Sequence, residues 1–202
     1  MKTQLLLPLL LSVASAAHGA LVNLTVNTST INGTTGSIDF QFNPGPLTTQ
    51  AATVQILNFT GATYVSGTQL DIGGATGGPL PTTITIANSG ADNEDFEDIK
   101  FGNSLAMTLS FTGPAITSPN GSLSSSTFAL ALFSDLAGTK PVLTTDPNGV
   151  LATVKLDRNT GALIPQSVSG NAQFGSSVPE PSSLLLVGGA LLAFTRRAHR
   201  AA

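Results

Sequence analysis

The sequence predicts an all-β fold, an antiparallel β-sandwich of about eight or nine strands over residues 20–164. Three observations carry this. Apolar and polar residues alternate with period two in short β-branched and aromatic runs. Turn-forming pairs punctuate those runs at short intervals. No stretch ahead of residue 182 shows a capped helical periodicity sustained over three turns. A β-barrel or β-solenoid fits the same alternation, although the absence of a fixed internal repeat counts against the solenoid.

The elements follow in order. In Ala20–Val26, Val22, Leu24 and Val26 face one way and Asn23 and Thr25 the other. Ile38, Phe40 and Phe42 alternate with Asp39 and Gln41. Val54–Phe59 and Thr83–Ile86 are the next candidates, then a strand around Phe96–Phe101 and another over Leu105–Phe111. Phe128, Leu130 and Leu132 line one face of Phe128–Phe133, and Val150–Leu156 alternates in the same way. Between them lie Asn32-Gly33, Asn43-Pro44-Gly45-Pro46, Gly73-Gly74, Gly77-Gly78-Pro79, Asn120-Gly121, Pro147-Asn148-Gly149 and Asn159-Thr160-Gly161. Residues 165–177 are Ser/Gly-rich and read as a linker.

Composition narrows the chemistry. The chain has no cysteine and no tryptophan, Tyr64 is its only tyrosine, and His18 and His199 are its only histidines. Both histidines lie outside residues 20–164, so that domain offers neither imidazole nor thiol. Ser-His-Asp and Cys-His machinery is excluded there, as are zinc sites built on His or Cys. No disulfide can hold the fold, which must rest on one hydrophobic core. Between Ala20 and Pro179 ten carboxylates face only Lys100, Lys140, Lys155 and Arg158, a net charge of minus six. So few cations argue against nucleic-acid binding. Paired acids could in principle hydrolyse glycosides, but no spacing points to such a pair, and the expectation is a protein that is not an enzyme.

The densest charge cluster is Asp92-Asn93-Glu94-Asp95-Phe96-Glu97-Asp98. Asp92, Glu94, Asp95, Glu97 and Asp98 are candidate Ca²⁺ ligands, because a hard cation prefers oxygen donors. The spacing is not that of an EF-hand, and the competing reading is a solvated acidic loop leading into a strand. No other cofactor is expected. Asp146-Pro147-Asn148-Gly149 and Asp157-Arg158-Asn159-Thr160-Gly161 read as Asx-rich turns before they read as oxygen ligands. Thr82-Thr83-Ile84-Thr85-Ile86 invites comparison with a Thr-rich ice-binding face, a remote alternative because the pattern occurs once. With a single tyrosine and no tryptophan there is no strong platform for stacking sugars, so polysaccharide binding would rest on Asn, Asp and Thr.

The two ends of the chain carry an address. Met1-Lys2, an apolar run from Leu5 to Ala17 and small residues after it form a signal peptide over residues 1–19. Cleavage is plausible before Ala20 or before Ala17. At the other end stand Val178-Pro179-Glu180-Pro181, then an apolar segment over 182–195, then a basic end over 196–202. The prolines hold the motif extended and accessible, as a peptidase cleft requires. Residues 182–195 would form a helix about 21 Å long, short for a membrane span but rescued by thinning and snorkelling. Arg196, Arg197 and Arg200 would keep its end in the cytoplasm.

Motif, apolar helix and arginines, in that order, resemble a PEP-CTERM sorting domain. The resemblance implies a Gram-negative host, a precursor held in the inner membrane by its C-terminal helix, and cleavage near the motif by an exosortase-like membrane enzyme. It implies delivery to the cell surface or the extracellular matrix. The body is similar to β-rich exported domains carried by such proteins, on Gly36-Ser37-Ile38-Asp39-Phe40-Gln41-Phe42-Asn43-Pro44-Gly45 and Phe101-Gly102-Asn103-Ser104-Leu105. Those domains imply no defined activity. The expected role is structural or adhesive among exopolysaccharides, with a calcium- or polysaccharide-binding module as the alternative.

Overall fold

The computed structural model describes residues 19–175, and among them the fold is antiparallel β with one short α-helical turn. The strands are β1 (Ala20–Asn27), β2 (Thr35–Asn43), β3 (Thr53–Tyr64), β4 (Leu70–Ile72), β5 (Ala75–Gly77) and β6 (Ile84–Ala87). They continue with β7 (Glu94–Thr112), β8 (Thr127–Phe133), β9 (Val150–Leu156), β10 (Leu163–Ser167) and β11 (Ala172–Phe174). All eleven belong to one continuous sheet.

That sheet folds over on itself along β7, a strand of 19 residues. Its first half pairs with β2, from Gln41 opposite Glu94 to Thr35 opposite Lys100. Its second half pairs with β1, from Asn27 opposite Ser104 to Ala20 opposite Phe111. The neighbour on that side therefore changes midway, while β3 lines the other side of the second half and rejoins the first at Tyr64. One layer runs β10-β9-β8-β2 into the first half of β7; the other runs from its second half through β3 and β6 to β5.

The turn of the sheet needs glycine at two facing places. The β3–β7 register shifts between Leu57 and Ala62. There Gly61 adopts φ +96°, and a Cβ on it would sit 1.7 Å from the Ser104 carbonyl oxygen. A Cβ on Gly102 would sit 2.3 Å from the Gly61 carbonyl oxygen. Only residues without a side chain let the two backbones approach this closely.

Phe111 closes the core between the layers. Its ring lies 5.9 Å from Phe42 of β2 and 6.2 Å from Phe128 of β8, edge-on to both. Edge-to-face packing at such separations adds to the burial of the rings themselves. Ile38 and Phe40, Val22 and Leu24, Val54 and Ile56, and Ile84 and Ile86 complete the interior.

The sandwich expected from alternation is present, with more strands than expected. The segments around Phe96–Phe101 and Leu105–Phe111 are one strand rather than two. The short strands β4, β5, β10 and β11 add to the count. The linker expected over 165–177 is also corrected, since Pro165, Gln166 and Ser167 belong to β10 and Ala172–Phe174 form β11. Ladder bonds use backbone groups alone, so Ser/Gly-rich composition does not prevent an edge strand from forming where β9 and β1 offer unpaired partners.

Candidate functional site: the acidic half of β7 and the exit of the chain

The acidic segment is strand, and period two divides it. Asp95 lies opposite Phe40 and Glu97 opposite Ile38, so both carboxylates project into the interior beside core residues. Glu94 and Asp98 lie opposite Gln41 and Ser37 and project to the other face. Asp92 is exposed and precedes the strand. The five candidate calcium ligands are therefore not brought together, because neighbouring residues of a strand point to opposite sides. Among the described residues no group of three or more His, Cys, Asp or Glu is placed to hold a metal ion. A solvated acidic loop is equally ruled out, since Asp95 and Glu97 are both 0 % exposed.

Buried carboxylates without a cation need other partners. Glu97 receives the Leu80 backbone N–H on both oxygens, at 3.1 and 3.0 Å. Asp95 Oδ2 accepts from Gln69 Nε2 at 2.7 Å, and the same amide donates to the Gly77 carbonyl at 2.9 Å. Asp71 of β4 lies opposite Asp95 in register, with its own Oδ1 3.3 Å from that amide. Asp95 Oδ1 is buried and finds no hydrogen-bond donor among the described residues.

A proton fits that vacancy. Burial, reinforced by the neighbouring Asp71 carboxyl, pushes Asp95 well above the ordinary carboxylate range, against the lowering effect of Gln69. Burial also raises Glu97, with the Leu80 N–H opposing it. A protonated Asp95 donates a hydrogen bond where an ionised one would only repel its neighbours. On the opposite face Asp39 is pushed up to about 7, by burial first and by Glu94 to a smaller extent, while Gln41 Nε2 donates to its Oδ2 at 2.6 Å.

Two residues that composition did not single out for structure build this region. The Tyr64 hydroxyl accepts the N–H groups of Gly67, Thr68 and Gln69 at 3.1, 3.1 and 3.2 Å. That wraps the β3–β4 loop around one oxygen and sets Gln69 in place over Asp95. Asn93 is fully buried, its Oδ1 accepting from Gly74 and Gly90 at 2.9 and 2.8 Å. Its Nδ2 returns a bond to the Gly90 carbonyl at 2.9 Å. The run of acids around Asn93 hid a residue whose amide ties two loops to the start of β7.

The Asx turns are present as read. Asp157 Oδ1 accepts the N–H groups of Asn159 and Thr160 at 2.8 and 3.0 Å, closing the β9–β10 hairpin, and those bonds hold its carboxyl below the ordinary range. Asp146 Oδ1 caps Asn148 N–H at 2.9 Å. Of the Thr/Ile run, Ile84 and Ile86 are buried, and Thr85 pairs across strands with Gln55 and Thr76.

The chain leaves the domain beside the place where it enters. β11 pairs antiparallel with β1, Leu24 opposite Phe174 and Val26 opposite Ala172. The Gly175 N–H then donates to the Asn23 carbonyl at 2.9 Å. The signal peptide expected over residues 1–19 lies outside the described residues except for Gly19, and the motif Val178–Pro181, the apolar segment 182–195 and the arginines lie wholly outside them. No helix among the described residues is long and apolar enough to cross a membrane.

Residues 177–201 match the family model of the PEP-CTERM protein-sorting motif. A motif of this kind implies an exported, membrane-anchored precursor handled by an exosortase. No curated protein and no solved structure matches the chain. With its folded domain closed at Gly175, this chain carries a PEP-CTERM protein-sorting motif directly behind it.

Proposed function

We propose that this protein is a non-enzymatic component of the cell surface or extracellular matrix, structural or adhesive among exopolysaccharides. The observation that carries the reading is the sorting motif at 177–201, set behind a β-domain with its own core. An exported signal-bearing precursor, anchored by its C-terminal helix, is cut near Val178–Pro181 and passed on. The domain supports a passive role. Its paired inward acids, Asp95 and Glu97, are closed to solvent, so no substrate reaches them. Its β1–β7 outer face instead exposes Asn23 and Thr25, polar side chains of the kind that hydrogen-bond glycans, with half-buried Thr108 donating to Asn23 Oδ1 at 2.9 Å.

Intact mass of the protein recovered from the cell surface and medium tests the sorting step. Loss of both the leader and everything beyond the Val178–Pro181 region supports it, and replacing Pro179-Glu180-Pro181 with alanines should leave the precursor uncut. A product that keeps residues 182–202 overturns it. Co-sedimentation of the purified domain with the host's exopolysaccharide tests the adhesive role, which fails if the domain stays in the supernatant.

A further inference from the structure

The spacing between the last ladder bond and the sorting motif is the feature with consequences beyond delivery. Gly175 is bonded to Asn23, and only Ser176 and Ser177 separate it from Val178. Three residue steps of extended chain reach about 10 Å. A cleft that grips the chain upstream of Val178 meets Ser176 and Ser177 and then the sheet itself. Phe174, next in line, is paired with Leu24 and packs against the core. Downstream, Pro181 is followed within three residues by the apolar run from Leu184. The motif thus follows the last ladder bond by two residues and precedes the apolar run by two.

The edge strand beside it is built to come away. β11 has three residues, and among the described residues β1 is its only ladder partner. Its middle residue, Gln173, is exposed, and Ala172 is its one fully buried side chain. β1 is paired over eight residues with β7 on its other side, a ladder to which β11 does not contribute. Short edge strands with few buried side chains open at the lowest cost in a domain.

Resting on the sorting reading above, we propose that β11 is a releasable strap: the processing peptidase gains the motif only when Ala172–Gly175 unpairs from β1. Processing then depends on the folded domain, and the strength of β1–β11 pairing sets its rate.

The chain's lack of cysteine makes a direct test available. A Cβ built on Gly175 lies 3.4 Å from the Asn23 Cβ, next to the roughly 3.5–4.5 Å that a disulfide spans. The full-length Asn23→Cys/Gly175→Cys precursor, expressed in a Gram-negative host that processes its own PEP-CTERM proteins, should form that bond on export. Pulse-chase should show its cleavage slowed about tenfold or more relative to Asn23→Ser/Gly175→Ser, which makes the same substitutions without the bond. Inserting twelve Gly and Ser residues between Gly175 and Ser176 of the locked chain should restore the unlocked rate. Cleavage of the locked chain at the unlocked rate overturns the strap. So does failure of the insertion to restore cleavage, which would place the defect in folding or export. Absence of cleavage in the wild-type chain would instead overturn the sorting reading, and the same gel reads it.

Discussion

The two halves of β7 obey one geometry with opposite chemistry. In both, odd-numbered residues turn inward: Leu105, Met107, Leu109 and Phe111 in the second half, Asp95, Glu97 and Ile99 in the first. The second half places apolar side chains in an apolar interior and needs nothing more. The first places carboxylates there and depends on donors brought from elsewhere, Gln69 from the β3–β4 loop and Leu80 from the segment between β5 and β6. Strand position decides which residues are inside. Whether a polar residue survives there is decided by distant segments that fold over it.

The largest effect should come from the apolar half. Phe111→Ala removes the ring that meets both Phe42 and Phe128 and should cost about 3–5 kcal/mol of stability by urea denaturation. A loss below about 1 kcal/mol would mean the layers close without it and would break the comparison.

The acidic half should respond to pH instead. The folded chain holds protons on Asp95, Glu97 and Asp39 that the unfolded chain releases in the ordinary range, near 3.8 for Asp39. Stability from these groups is complete below that range and is lost as pH rises through about 7 for Asp39 and through the raised Asp95–Glu97 range. The urea midpoint should therefore be higher at pH 5 than at pH 9. Asp95→Asn keeps a donor facing its neighbours and removes the charge, so it should flatten that slope and raise the midpoint at pH 9. An unchanged slope would show that Asp95 is ionised in the folded protein.

A smaller change should follow from the donors' scaffold. Tyr64→Phe strips the shared acceptor from three N–H groups in a partly exposed loop and should cost about 1 kcal/mol. Its signature is a shift in the pH profile as Gln69 loses its place. A loss without that shift would separate the loop from the acids.

Much of this was legible in the chain. Val22-Leu24-Val26 and Ile38-Phe40-Phe42 announced their strands and their inward faces, because apolar residues at period two have only one face to bury. Val178-Pro179-Glu180-Pro181 with its apolar and basic followers announced the tail. The acids were misplaced for the same reason that the apolar runs were easy. Alternation fixes which residues share a side, and with carboxylates on both sides of Glu94–Asp98 composition does not say which side is inside. The Ser/Gly-rich stretch 165–177 reads as a linker because side chains advertise burial, whereas β10 and β11 are held chiefly by backbone bonds to β9 and β1.

By itself, then, the sequence determined the strand-forming segments, the turns between them, the absence of imidazole and thiol chemistry in the domain, and the sorting motif. Those depend on residue identity and near neighbours. The tertiary structure alone decided that two segments become one strand bent over Gly61 and Gly102, that Asp95 and Glu97 share the core, and that the chain's exit is paired to its entrance. Each of these joins residues far apart along the chain, and no local pattern records which distant backbone will supply the partner.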